Sequence, residues 1–243
     1  LPLSLPRRAS KVAPTLRHPA MNDQQPELDW RDEKIPVSRR FDDPYFSLDN
    51  GLEETRHVFL AGNDLPARFA DGFQIAELGF GTGLNFLVTL AAWRESGATG
   101  RFHFTTFEAF PMAPADRERA LAAFPELGDL RALLTRALTS GSGPYDFGDA
   151  TLTIIAGDAR QTLPDHTLAA DAWFLDGFSP AKNPELWGEG LLAEVGHHTK
   201  QGGTAATYTA AGHVRRALAA AGFDVTRVAG YGRKRHMTRA RKA

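Results

Sequence analysis

From residue 71 onward, short apolar segments of strand length alternate with longer ones whose apolar positions recur at helical spacing. This is the pattern of a parallel sheet covered by helices on both faces. Residues 73–78 read as a buried strand. Residues 84–94 read as a helix apolar almost all round, with Asn85 and Thr89 sharing one face at i, i+4. Aromatic and β-branched residues over 102–107 predict a second strand. Two helical stretches follow, near 116–124 and 127–138, then a loop holding Gly141, Gly143 and Pro144. Residues 151–156 and 170–175 are the third and fourth strands. Asn183-Pro184-Glu185 carries N-cap, first-position and acidic first-turn chemistry for another helix. A strand at 204–208, a helix at 213–221 and a strand at 223–228 continue the alternation, and 231–238 reads as an edge strand. The expected fold is α/β, with a mostly parallel sheet.

The N-terminal part breaks the pattern. Residues 1–20 contain Pro2, Pro6, Pro14 and Pro19 and end before Met21. They are expected to be a disordered extension ahead of a natural start, since those prolines would interrupt the amphipathic helix of a transit peptide. Residues 21–70 are denser in turn signals and predict a small subdomain or cover, leaving 71–243 as the main domain.

With 243 residues, 42% of them apolar and 23% charged, the chain suits one globular domain with a buried core. No apolar run approaches the ~20 residues that span a bilayer. Cysteine is absent, which excludes disulfides, thiolate nucleophiles and thiolate-held metals. The eight histidines lack metal-ligand spacing, and His197 and His198 are adjacent on a predicted helix and so point to different faces. No metal and no membrane partner are expected. The net charge is −1, unevenly spread: residues 233–243 carry six basic side chains and no acid. That basic end is either a solvated tail or a surface for a phosphate-rich partner.

The most informative local feature is Glu77-Leu78-Gly79-Phe80-Gly81-Thr82-Gly83-Leu84-Asn85, which follows a predicted strand and opens a predicted helix. A dinucleotide fingerprint places glycines first, third and sixth. Here the sixth position is Leu84 and the fifth is Gly83, which disfavours a pyrophosphate. Glu77, two residues before the first glycine, suits a ligand with a cationic head, as in S-adenosylmethionine with its ammonium, sulfonium and ribose diol. Glu108 ends the second strand and Asp158 follows the third, so all three acids are expected to converge at the carboxyl ends of the strands. Each acid alone could equally be a solvated strand end, and the glycines alone any tight strand–helix turn. Asn85 is expected either to reach this cofactor or to pair with neighbouring backbone.

The fourth strand delivers Asp176 into a Gly/Pro turn, within Asp171-Ala172-Trp173-Phe174-Leu175-Asp176-Gly177-Phe178-Ser179-Pro180-Ala181-Lys182-Asn183-Pro184-Glu185-Leu186-Trp187. A carboxylate there can accept the N–H bonds of a nitrogen nucleophile and fix its lone pair. This run, with Asp42-Asp43-Pro44-Tyr45-Phe46-Ser47, Gly51-Leu52-Glu53-Glu54-Thr55, residues 77–86, Thr207-Tyr208-Thr209-Ala210-Ala211-Gly212, Val214-Arg215-Arg216 and Gly232-Arg233-Lys234-Arg235, resembles the tRNA 5-(methylaminomethyl)-2-thiouridine methyltransferases. The similarity runs from about residue 29 to 237.

The resemblance implies a Rossmann-like fold of S-adenosylmethionine-dependent methyltransferases and a cytoplasmic enzyme. It would methylate the exocyclic amine of 5-aminomethyl-(2-thio)uridine at the tRNA wobble position. It also implies a flavin-dependent oxidase that makes the amine, in a domain beyond this chain or in another protein. Asp176 is then expected to orient the amine first and accept its proton second. Phe178, Trp187 and Tyr208 are candidates for stacking on an unpaired base of the anticodon loop or for core packing, with core packing the expectation for Trp187. Lys182, Arg233, Lys234 and Arg235 are either phosphate contacts or solvated charges, and Asn183 is expected to cap a helix. The rival readings are a transferase acting on a small amine or polyamine and a non-catalytic RNA-binding module.

Overall fold

The computed structural model describes residues 25–47 and 50–243; the extension expected over 1–20 lies outside the described residues. Strands β1 (Leu28–Arg31), β2 (Ile35–Ser38) and β3 (Asp43–Pro44) form an antiparallel three-stranded sheet. Helix α1 (Gly51–Thr55) starts at Asn50, whose side chain accepts the Glu53 N–H at 3.1 Å. It runs on through a π-helical turn, Arg56–Leu60, and a 3-10 turn, Ala61–Asn63. Leu52, Val58, Phe59 and Leu60 are buried in the same apolar cluster as the central sheet.

Among the described residues that sheet has eight strands: β4 (Phe73–Leu78), β5 (Phe102–Glu108), β6 (Tyr145–Asp146), β7 (Ala150–Ala156), β8 (Ala170–Leu175), β9 (Thr199–Thr207), β10 (Phe223–Ala229) and β11 (His236–Lys242). Their order is β10-β11-β9-β8-β4-β5-β7-β6. The β8–β4–β5–β7 core and the β8–β9 pair are parallel; β11 runs antiparallel to both its neighbours, as β6 does to β7. Helices α2 (Leu84–Ser96) and α4 (Gly128–Thr139) contribute to the cluster on one face. Those of α5 (Ala159–Thr162), α6 (Glu189–His197) and α7 (Gly212–Ala220) cover the other. Strand β8 displays the alternation behind this layering: Phe174 belongs to the first cluster, Trp173 and Leu175 to the second. Helix α3 (Pro114–Leu121) follows β5.

From β4 the chain builds outward through β5 and β7, then returns to place β8 on the other side of β4. The switch point therefore lies between the carboxyl ends of β4 and β8, where open α/β sheets bind ligands. Gly79 leaves one strand and Asp176 the other.

Three expectations are corrected. The chain after Asn183 forms a 3-10 turn, Pro184–Trp187, and Asn183 makes no side-chain cap bond; the α-helix begins only at Glu189. The cause is Trp187, fully buried with its indole N–H donating to the Phe178 carbonyl at 2.8 Å, which draws the chain into a tighter turn. The last strand is not an edge: β11 inserts between β9 and β10, and 231–234 is the turn before it. Its basic residues are largely engaged. Arg239 and Arg241 pair with Asp64, and the Lys242 ammonium donates to the Ala221 carbonyl, so the C-terminal end is no solvated tail. Strand β6 and helix α5 have no counterpart in the sequence reading, being too short to show a period.

Candidate functional site

A cavity of about 940 Å³ opens at the switch point. Its floor is the glycine turn after β4, where Gly79, Gly81 and Gly83 have φ of +82°, +52° and +82°. Those left-handed conformations favour glycine. A Cβ at Gly83 would also press on the tips of the Phe80 and Leu134 side chains, at 2.8 Å and 3.0 Å. Gly79 and Gly81 line the cavity; Gly83 does not, and serves instead as the N-cap of α2.

The three strand-end acids do not all converge on the cleft. Glu77 is completely enclosed and does not line the cavity. It lies opposite Thr106 in the β4–β5 register and accepts that hydroxyl at 2.8 Å on one oxygen, and the Asn85 amide at 2.8 Å on the other. Burial pushes its carboxyl well above the usual range, against both hydrogen bonds. Glu108 does reach the cavity wall. One oxygen accepts the Gly81 N–H at 2.8 Å and the other the Phe110 N–H at 2.6 Å, clamping the glycine turn to the loop after β5. Burial raises its carboxyl too, with the backbone donors opposing. Asp158 lines the cavity, caps α5 through the Arg160 N–H at 2.9 Å, and forms an ion pair with the Arg160 side chain. Hydrogen bonding from Arg160 holds it below the ordinary carboxylate range.

Asn85 lines the cavity, and its side chain pairs with other side chains rather than with neighbouring backbone. Its oxygen accepts the Thr55 hydroxyl at 2.8 Å, and its amide donates to Glu77 at 2.8 Å and to Asp176 at 2.7 Å. One buried amide thus bridges two carboxylates. Asp176, partly buried at the end of β8, accepts this bond and the Gly177 N–H at 2.7 Å. Burial lifts its pKa to about 6, helped by the Glu54 charge and opposed by the two donors and Lys234.

Phe178 and Tyr208 line the cavity. Phe178 stacks on Phe41 with centroids 4.7 Å apart and meets Tyr45 edge-on at 5.0 Å. The Tyr208 hydroxyl donates to the Gly177 carbonyl at 2.8 Å. Arg233 and Lys234 also line the cavity, whereas the exposed Arg235 does not. Lys182 lies off it, ion-paired with Asp42 at 3.1 Å and Asp43 at 3.7 Å, so its charge is committed to the segment around β3. Sequence reasoning gave no role to Glu54, Thr55, Arg40 and Tyr45, all of which the fold brings to the cavity. For Glu54, Thr55 and Tyr45 the signal was the Gly51–Thr55 run and the stretch 42–47, noticed as similar segments; Arg40 carried none.

Among the described residues no cluster of three or more His, Asp or Glu is arranged to hold a metal, and no helix is long and apolar enough to cross a membrane.

The sheet order, the glycine turn at its switch point and the acidic wall above it define a class, the S-adenosyl-L-methionine-dependent methyltransferases. The family model of that description matches residues 130–243. The chain is 47% identical over 237 residues to the tRNA 5-methylaminomethyl-2-thiouridine biosynthesis bifunctional protein MnmC of Stutzerimonas stutzeri, an alignment covering 91% of this chain and 36% of that protein. It is 48% identical over 228 residues to the Pseudomonas aeruginosa PAO1 protein of the same name, covering 88% and 34%. The crystal structure of MNMC2 from Aquifex aeolicus superposes with a TM-score of 0.71 at 27% identity, covering 90% of this chain and 71% of that one. Over about nine-tenths of its length the chain is similar to these proteins, and it spans about a third of the length of the curated relatives it matches. Over residues 130–243 the similarity is to enzymes whose cofactor is S-adenosyl-L-methionine.

Proposed function

We propose that this chain methylates the exocyclic amine of 5-aminomethyl-(2-thio)uridine at the wobble position of tRNA, giving the 5-methylaminomethyl product. The observation that carries the reading is Asp176, a carboxylate fixed by two donors on the wall of the same cavity as the glycine turn. The relatives' names, which specify this tRNA nucleoside, support it.

The residues present fit the cofactor. Glu108 is held by backbone N–H groups on both oxygens, and its carboxylate on the cavity wall can also accept a ribose hydroxyl. Gly79 and Gly81 leave the floor free of side chains, and Asp158 adds a carboxylate to the wall. Glu77 and Gly83 act from beneath, holding Asn85 and the turn in place. When bound, S-adenosyl-L-methionine supplies a methyl group made electrophilic by its sulfonium.

An alkylamine has an ordinary pKa of ~10.4 and enters as an ammonium, whereas the nucleophile is the free base. Asp176, titrating at about 6, is ionised at neutral pH and accepts an N–H of the amine, aligning its lone pair. It takes or relays the proton that the ammonium gives up before attack; methylation then returns the positive charge to nitrogen, and the product leaves as a secondary ammonium. Phe178 and Tyr208 offer aromatic surface to an unpaired base, and Arg233 and Lys234 offer charge to backbone phosphates. Residues 71–243 form the methyltransferase body, and the segments around β3 and α1 bring Asp43, Tyr45 and Glu54 to the cleft. The amine is supplied by an oxidase activity outside this chain, in the cytoplasm where tRNA is modified.

The carboxylates of Asp43, Glu54 and Asp176 on one cavity also suit a small polyamine. One incubation series separates the readings: tRNA bearing 5-aminomethyluridine, or spermidine, with cofactor, followed by mass analysis of the nucleosides or polyamine. The proposal expects one added methyl on the nucleoside and none on spermidine. Methylated spermidine with unchanged tRNA would replace it.

A further inference from the structure

Glu54 has no substrate contact in the methyl-transfer geometry described above and Lys234 only a phosphate to meet, yet both line the cavity beside Asp176. Glu54 sits in the last turn of α1 with its side chain only 13% exposed, and accepts the Lys234 ammonium at 2.8 Å. The same ammonium lies 3.7 Å above the centre of the Tyr208 ring, within the range of a cation–π contact. Tyr208 is tied in turn to the Gly177 carbonyl, one residue from Asp176. The Glu54 charge is felt at Asp176, whose pKa it helps to raise.

The terminus of a lysine side chain and a protonated aminomethyl group are the same chemical unit, a methylene bearing an ammonium. The free protein therefore already seats such a unit between a carboxylate and an aromatic face, next to the carboxylate that would accept the reacting nitrogen's N–H. We propose that Glu54 and the Tyr208 face form the reception site for the substrate's ammonium, and that Lys234 is a resident placeholder displaced when substrate enters. Rejection of neutral analogues follows, because a hydroxymethyl group brings no charge to offset the release of Lys234 from Glu54. The displaced lysine, on the turn before β11, is freed to meet a substrate phosphate. This inference rests on the amine-methylating reading and adds the element that selects the amine.

The test is calorimetric binding of two nucleosides, 5-aminomethyluridine and 5-hydroxymethyluridine, to the intact chain saturated with S-adenosylhomocysteine. Neither nucleoside carries a phosphate, so any phosphate role of Lys234 is silent. Wild type should prefer the amine at least tenfold. Glu54→Gln should abolish that preference, and Lys234→Met should tighten the amine severalfold by removing its competitor. Equal binding of the two nucleosides by wild type, an undiminished preference in Glu54→Gln, or weaker amine binding in Lys234→Met would each overturn the proposal. If Glu54→Gln fails to fold, Lys234→Met decides alone. Methyl transfer to aminomethyl-bearing tRNA is scored separately, so a protein that methylates the tRNA but has no Glu54-dependent preference refutes this inference and leaves the proposed reaction standing.

Discussion

Replacing Asn85 with leucine removes one side chain and strands two carboxylates. The amide donates to Glu77 at 2.8 Å and to Asp176 at 2.7 Å, and leucine, with the same branching but no polar atoms, donates to neither. Glu77 is completely enclosed, and losing one of its two donors costs about 1–3 kcal/mol. Asp176 titrates at about 6, and above that pH it loses a hydrogen bond to its charged form, about 1.5–3 kcal/mol. The carboxylate total is about 2.5–6 kcal/mol at pH 8.5, falling to about 1–3 kcal/mol at pH 5, where Asp176 is protonated and the bond counts for less. The Thr55 hydroxyl, left without its acceptor, adds a cost that does not change with pH. The sign follows from the Asn85 bond lowering the Asp176 pKa: its removal raises that pKa by roughly one to two units, so the penalty grows as pH rises. Urea unfolding of both proteins at pH 5 and 8.5 measures the difference. A penalty that is the same at both values would refute the bridging role assigned to Asn85.

Two further outcomes are expected at the cofactor turn. Gly83→Ala places a Cβ at positive φ and 2.8 Å from Phe80, and should cost about 1–3 kcal/mol in unfolding experiments, with weaker cofactor binding; a neutral effect on both would contradict the steric reading of the turn. Glu108→Gln exchanges one acceptor oxygen for a donor facing the Gly81 or Phe110 N–H, and should weaken S-adenosyl-L-methionine at least tenfold by calorimetry, whereas unaltered affinity would remove Glu108 from the site.

The central strands, the glycine turn and the position of Asp176 were legible because they depend on local pattern: an apolar run, then glycine or a carboxylate at its end. What depended on distant partners was not. Glu77 read as a cleft acid because nothing local says that Asn85 and Thr106 occupy both its oxygens. Trp187 overrode the capping chemistry of Asn183 through its own burial. The insertion of β11 between β9 and β10 puts Arg239 and Arg241 on Asp64, some 175 residues earlier in the chain, so a run of positive charge that looked solvated is partly neutralised. Glu54 and Thr55 lie more than 100 residues before Asp176, and only the folded chain brings them to one cavity.

Asp176→Asn, compared with wild type in single-turnover methyl transfer to aminomethyl-bearing tRNA with cofactor affinity measured in parallel, bears most directly on the whole account. The rate should fall by about 10²–10⁴, as for loss of a positioned proton acceptor, while S-adenosyl-L-methionine binds within about threefold of its wild-type affinity. The wild-type rate should also decline below about pH 6, as Asp176 takes up a proton, and the variant should lack that limb. A variant that transfers methyl groups at the wild-type rate would contradict the account.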